Sequence, residues 1–231
     1  LPDDSQQQAS LSQYYLQEFL PKYQSENKDS KLKAEQLLAS LSTTARALQY
    51  SYISANSHNL GEKDKLLALD DGSQYDKEHQ IYHPNFSNFL QQFGYYDIFI
   101  VDNQGNVVYS VFKELDFATS LTSGPYANSG LAQAYSKAKN ASKGQVFMTD
   151  FAPYLPSYES AAAFIATPIV FEQATLGVLI FQAPVDRIND IMTYQGQWKS
   201  RGLGLSGETY LVGSDLLMRS QSRFLLEDKK A

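Results

Sequence analysis

Cysteine is absent from all 231 residues. That excludes disulfides and thiolate catalysis, and it suits an oxidising compartment. No run of about 18 apolar residues occurs, so no stretch reads as a membrane-spanning helix. Basic clusters are missing too. With 19 Lys and Arg against 25 Asp and Glu, the net charge of −6 argues against a nucleic-acid partner. The start, Leu1-Pro-Asp-Asp, has neither the basic nor the apolar region of a signal peptide, and the segment reads as a piece of a longer protein. Catalytic sets are missing: there is no GxSxG, no Ser/His/Asp grouping near strand ends and no phosphate loop. The expectation is a protein that is not an enzyme and needs no cofactor.

What is present is aromatic. Sixteen Tyr and thirteen Phe exceed the needs of a core this size, and such residues also line pockets and recognition surfaces. The richest stretch is Tyr95–Leu121. Tyr95–Asp102 and Asn106–Phe112 read as strands, joined by Asp102-Asn-Gln-Gly105, which supplies hairpin turn chemistry. Asp97, Phe99 and Val101 point one way and Tyr96, Ile98 and Ile100 the other. Both faces are largely apolar, which makes the strand central.

Before this hairpin the pattern is helical. Ser5–Gln24 is one helix, which Pro21 ends or kinks. A long amphipathic helix is predicted over 30–56, striped by Ala34, Leu37, Leu38, Leu41, Ala45, Leu48 and Tyr52. One side of it is left for a second copy, so a homodimer through the N-terminal helices is expected. Pro84 opens a short helix that Gly94 caps. After the hairpin come a crossover, a helix near 128–140 and strands at 145–154, 161–171 and 175–183. A helix at 185–194 follows, then a small hairpin at 208–213 and 216–220. The fold class is α+β: long N-terminal helices on a five-stranded antiparallel PAS-like sheet, plus the start of a second, smaller module.

Gly202-x-Gly204-x-x-Gly207 matches a dinucleotide motif in letters only, because a helix precedes it and a strand follows. His79 and His83 have zinc-ligand spacing on a helix, but no third ligand is near and Pro84 disfavours helix at His83, so no metal is expected. The sequons at Asn85 and Asn140 are chance matches. One region combines polar tips with aromatics. Residues 146, 148, 150, 152 and 154 share a strand face, which puts Asp150 and Tyr154 in an apolar row, and Gln182 ends the last strand in the same way. The candidate ligand-binding residues are Tyr109, Lys113, Phe117, Tyr126, Asp150, Tyr154 and Gln182, around a cavity between the sheet and the 113–127 crossover. Lys113 or a cation on the ligand would compensate Asp150. The ligand expected is a small amine or carboxylate. The alternative is that Asp150 caps a turn and the aromatics are core.

The stretches HQIYHPNFSNFLQQFGYYDIFIVDNQGNVVYSVFKELDFATSL, Gly124-Pro-Tyr, DFAPYLPSYESAAAFIATPI, GVLIFQAPVDRINDIM and GLGLSGETYLVGSDLLMRSQSRFLLED resemble the extracytoplasmic double-Cache (PDC-type) sensor domains of bacterial methyl-accepting chemotaxis receptors and sensor histidine kinases. The resemblance covers about three-quarters of the chain. The spaced Tyr, Arg, Trp and Asp of amino-acid-binding Cache domains are not evident. The resemblance implies a helical region at 1–60, a membrane-distal sensor domain at 61–200 and the beginning of an incomplete membrane-proximal module at 201–231. It also implies a periplasmic ligand-sensing portion of an inner-membrane receptor, most simply a chemotaxis receptor, with a histidine kinase, a nucleotide cyclase or a ligand-free interaction domain as alternatives. The membrane contact would be made only through flanking helices outside this chain.

Overall fold

A computed structural model describes residues 3–228. Helix α1 (Asp4–Gln13) starts at Asp3, whose carboxylate accepts from Gln6 N at 2.9 Å. It runs through a π-helical stretch, Tyr14–Phe19, into α2 (Leu20–Glu26). Pro21 therefore neither ends the helix nor starts a loop. The wider π turn lies just ahead of the residue that cannot donate to the preceding turn.

The single long helix expected over 30–56 is broken. Helix α3 (Ala34–Ala39) stops at Ser40, whose hydroxyl donates to Leu37 O at 2.6 Å. Helix α4 (Thr43–Gln49) restarts at Ser42, whose hydroxyl accepts from Ala45 N at 3.1 Å, and a π turn, Tyr50–Ser54, ends it. Two serines around Leu41 offer the backbone local partners that a continuous helix would deny it. The longest helix is instead α5 (Gln74–Phe93). Ser73 caps it and Gly94, at φ 70°, closes it with a bond to Leu90 O. Pro84 sits inside α5. It removes only the bond to Gln80, at a solvent-exposed turn that water can satisfy.

The sheet holds β1 (Asp97–Asp102), β2 (Val107–Ser110), β3 (Phe147–Met148), β4 (Ala152–Tyr154), β5 (Ser160–Phe171) and β6 (Ala174–Pro184). All pairings are antiparallel, in the order β2-β1-β6-β5-β3, with β4 also on β5. Strand β1 is central, as its two apolar faces require. The turn after it is tied by Asp102, whose Oδ1 accepts from Gln104 N and Asn106 N at 2.9 and 2.8 Å. Gly177 faces Asp102 across the β1–β6 pair, and a Cβ there would lie 2.4 Å from Val101 O. Only glycine lets the two backbones meet at that point.

The expected strand over 145–154 divides at Thr149–Phe151. Thr149 N still donates to Phe164 O at 2.9 Å, and its hydroxyl accepts from Phe164 N at 3.0 Å. The irregularity inverts the alternation. Val146, Met148 and Ala152 face solvent, whereas Tyr154 turns inward.

One face of the sheet (Phe99, Val101, Phe164, Val178, Ile180) packs on α1–α4, the crossover and α6 (Gly130–Ala138) in a single core. The other face carries Leu90 and Phe86 of α5 against Ile98, Tyr109 and Val111. The Leu38 and Leu41 stripe is buried inside the chain. Helix α7 (Val185–Met192) follows β6. The expected C-terminal hairpin reduces to one bridge, Val212–Met218, followed by α8 (Arg223–Asp228); residues 229–231 of the expected proximal module lie outside the described residues.

Candidate functional site

Strand β1 and the crossover after β2 place three acidic side chains near one another: Asp97 on the strand, Glu114 and Asp116 on the crossover. Asp97, on β1, is fully buried; its Oδ1 accepts from Ile98 N, Val111 N and Phe112 N at 2.7, 2.9 and 3.2 Å, and its Oδ2 has no partner. Asp116 is also fully buried. Its Oδ2 accepts from the Tyr154 hydroxyl at 2.5 Å, while its Oδ1 is unpartnered. Glu114 accepts from Tyr96 at 2.7 Å and from Ser157 at 3.1 Å. Ser157 in turn accepts from Gln182 Nε2 at 3.1 Å, which leaves Gln182 Oε1 buried and unpartnered.

Aromatic rings frame Asp116. The rings of Tyr126 and Tyr154 are 6.5 Å apart, Tyr154 meets Phe164 edge-on at 5.0 Å, and the buried Tyr126 hydroxyl has no partner. The roof is pinned by Gln49 of α4, fully buried. Its Oε1 accepts from Tyr15 at 2.7 Å, and its Nε2 donates to Leu115 O and Phe117 O at 2.9 and 2.7 Å. A cavity of about 470 Å³ is lined by Tyr96, Ser157 and Gln182 and by Met218–Gln221; Asp116, Tyr126 and Tyr154 do not line it.

Burial disfavours the ionised form of all three acids. Burial pushes the Asp97 carboxyl up to about 8, and neighbouring Asp116 adds to the push. Burial likewise raises Asp116 to about 6 and lifts Glu114 well above the carboxylate range, with Asp116 and Asp97 adding to the latter. No ion pair holds any of the three among the described residues. Lys113 is the nearby buried cation, pushed down to about 7 by burial despite Asp97 and Asp64. It turns away: its Nζ donates to Ser110 O and sits 4.4 Å over the Tyr109 ring and 5.3 Å over that of Phe117. Unpaired carboxylates and open acceptors among aromatic walls suit a small cation that carries hydrogen-bond donors. No group of three metal-binding side chains occurs among the described residues.

The chain matches no protein-family model and no curated protein. It is similar to solved structures. One is the ligand-binding domain of the Pseudomonas fluorescens chemoreceptor CtaA in complex with L-serine, at 13% identity and TM-score 0.38, over 56% of this chain and 49% of that one. Another is the V. cholerae histidine kinase DctB sensor domain, at 19% identity and TM-score 0.36, over 73% and 60%. A third is the ligand-binding domain of the Pseudomonas aeruginosa PAO1 amino-acid chemoreceptor PctC with GABA, at 17% identity and TM-score 0.43, over 77% and 70%. These are sensor domains of chemoreceptors and histidine kinases. The chain spans only about half of the CtaA domain and three-fifths of the DctB domain.

Of the residues expected at the site, Tyr126 and Tyr154 face each other on the inner face, Phe117 belongs to the same core but packs on Tyr52 and Tyr75, and Gln182 is linked through Ser157 to Glu114. Tyr109 lies on the opposite face, its hydroxyl 2.7 Å from His83 Nδ1, and Lys113 leans against it. Asp150 is not in the site. It is 61% exposed, and its counter-ion is Arg219, with Nη2–Oδ2 at 2.7 Å and Nε–Oδ1 at 2.9 Å, not Lys113. The inverted alternation at Thr149–Phe151 is the reason: the row containing residue 150 faces water.

Sequence reasoning missed Glu114 and Asp116, which carry no recognisable motif. The one local hint is their setting, Phe112-Lys-Glu-Leu-Asp-Phe117, in which charges interleave with apolar residues; what covers them is not encoded there. Asp150→Asn is expected to leave stability little changed, because the Asp150 carboxylate stands in solvent, where an ion pair contributes little. Amide exchange over 208–220 should quicken while β1 and β2 stay protected; quickened exchange throughout β1, or no change over 208–220, would contradict this placement.

Proposed function

We propose that this chain is the extracytoplasmic ligand-sensing domain of a membrane receptor, in the manner of chemotaxis receptors, and that it binds a small cationic amine. The motifs resembling Cache sensors support the first part. The second rests on one observation: Asp97 and Asp116 are fully buried and Glu114 is partly buried, none of them in an ion pair, and Asp116 Oδ1, Gln182 Oε1 and the Tyr126 hydroxyl are buried without a partner. An ammonium group would meet Asp116, its alkyl part would lie against Tyr126 and Tyr154, and Gln182 would take a second donor. The 470 Å³ cavity beside Gln182 and Ser157 supplies the entry.

Signalling would start at Gln49. It ties α4 to the crossover carbonyls of Leu115 and Phe117, so a ligand that shifts the crossover shifts the N-terminal helices with it. A homodimer through those helices remains part of the proposal. It would use faces other than Leu38 and Leu41, which are buried. The division at residues 60 and 200 and a periplasmic location belong to the same proposal.

The test is a thermal-shift and calorimetric series of small primary amines, each paired with the alcohol and carboxylate of equal length. At about 100 times the dissociation constant an amine adds roughly 2.7 kcal/mol. That is a rise of about 5–10 °C for a domain of this size. The rise should vanish in Asp116→Asn and persist in Asp150→Asn. Equal shifts from amines and alcohols, or none from any amine, would remove the cationic reading.

A further inference from the structure

The outer face of the sheet is only half covered. Helix α5 lies over β1 and β2, where Leu90 and Phe86 meet Ile98, Tyr109 and Val111. Strands β6, β5 and β3 continue the same face beyond it. The register sets its rows: Met148 pairs with Ile165, Ile165 with Phe181 and Phe181 with Ile98, so these side chains share one side. Thr167, Leu179 and Ile100 form the next row. This floor is apolar and partly open: Ile165 and Leu179 are half-buried, and Met148, at the far edge, is 55% exposed.

Helix α5 adds a wall to the floor. Tyr75, Tyr82, Phe86, Phe89 and Phe93 recur at spacings of three, four and seven, which keeps them on one flank of the helix. That flank turns toward β6, since Phe89 and Tyr95 both meet the Phe181 ring, at 5.8 and 4.7 Å. Phe93 meets Phe89 at 4.4 Å and is itself 58% exposed. A groove of about 340 Å³, lined by Tyr82, Phe86 and Ile100 among others, lies at the foot of the wall.

Charge is missing from this face. From His79 to Tyr96, and throughout β3, β5 and β6, no Asp, Glu, Lys or Arg occurs, in a chain that is 19% charged. Aromatic enrichment with depletion of charge marks the centre of protein–protein contacts. The occupant follows from three properties. A partner selected by charge would find nothing to pair with. Two copies of a chain of net charge −6 repel each other, and this face is where they can meet without that cost. A wall beside a floor is also complementary to itself, because a two-fold rotation stands each copy's wall on the other's floor. The extent is sufficient. Helix α5 has 20 residues and is about 30 Å long. The floor from β6 to β3 is about 10 Å wide, and a helix flank adds about as much. That is roughly 600 Å² per copy, at the low end of specific interfaces.

We propose that this face is an interface between two copies of the chain, packed wall on floor about a two-fold axis. It lies on the side of the sheet away from α1–α4, so it is distinct from a contact through the N-terminal helices, and it does not rest on the amine reading.

The test is sedimentation of the intact chain from about 10 µM to about 1 mM, the span in which a contact of this size forms. The wild type should show an association step. Phe93→Asp, on the wall, and Met148→Asp, on the floor, each place a charge where apolar surface is covered, and do so twice because the contact is two-fold. Each should weaken the step by about tenfold or more and leave the melting curve of the dilute chain unchanged. Leu205→Asp, at an apolar residue 80% exposed outside this face, should leave the step as it is. Should a variant misfold, the wild type still decides: on concentration the side-chain resonances of Phe93, Tyr82 and Met148 should shift together, and those of Leu205 should not. A chain that stays monomeric throughout, a step that survives both substitutions as a contact through the N-terminal helices would, or one that Leu205→Asp weakens equally, overturns the assignment.

Discussion

Asp116→Asn is expected to raise the melting temperature at pH 8 and to leave it nearly unchanged at pH 4. Burial raises the Asp116 carboxyl to about 6 in the folded chain. Between roughly pH 4 and 6 the folded state therefore holds a proton that the unfolded chain has released. By linkage, the stability present at low pH is lost as pH climbs through that window. Asparagine resembles the protonated acid and carries no such cost. The difference at pH 8 is about 3 kcal/mol at most, or roughly 5–10 °C for a domain of this size. Paired melting curves of the two proteins from pH 4 to 8 check it; parallel curves would mean that Asp116 is ionised and compensated in the fold. A linked result concerns the ligand. An ammonium ion favours the ionised acid, so amine affinity should climb with pH up to about 6 and then level off.

Gln49→Leu is expected to be the more damaging substitution. The fully buried amide satisfies Tyr15, Leu115 O and Phe117 O at once. Leucine is close in volume but leaves all three groups buried and unpaired. At about 1–3 kcal/mol for each orphaned group, the loss is roughly 3–5 kcal/mol, since some relaxation admits water. Chemical denaturation with an unchanged slope and a lower midpoint is the expected reading. Exchange should quicken over both α4 and residues 113–121. Exchange that quickens in α4 alone would show that the amide does not bind the two segments together.

Much of the sheet was legible in the sequence because period-two alternation and turn chemistry agreed there. Asp102-Asn-Gln-Gly105 marked the hairpin, and β5 and β6 lie within a residue or two of their expected bounds. The helices were harder to read. Pro84 reads as a helix start in the sequence, yet nearly three turns precede it under a Ser73 cap; proline position alone does not reveal whether packing on both flanks holds a helix across the missing bond. The apolar stripe through 34–52 is continuous in sequence, yet Ser40 and Ser42 interrupt the backbone without interrupting the stripe. Of the site, the aromatic members Phe117, Tyr126 and Tyr154 were found because large rings beside polar neighbours stand out. Asp116 and Glu114 were not, since enclosure by α1–α4 is a tertiary fact that no local spacing encodes. Asp150 was misplaced by a single irregularity, Thr149–Phe151, that inverts the face of every residue before it.

The Arg219 guanidinium grips Asp150 on the sheet and Asp215 in the tail, and both carboxylates stand in water. Attraction of this kind is screened by dissolved ions over a Debye length of ~8 Å at physiological ionic strength and ~3 Å at 1 M. The backbone ladders and aromatic packing of the sheet are not. The tail's grip is therefore set by the medium as well as by the chain: dilute buffer keeps residues 208–220 against the mouth of the 470 Å³ cavity, and brine loosens them while the sheet stays intact. Access to that cavity is in this sense set by ionic strength, through an arginine that one acid of its own segment orients and one acid of the sheet holds.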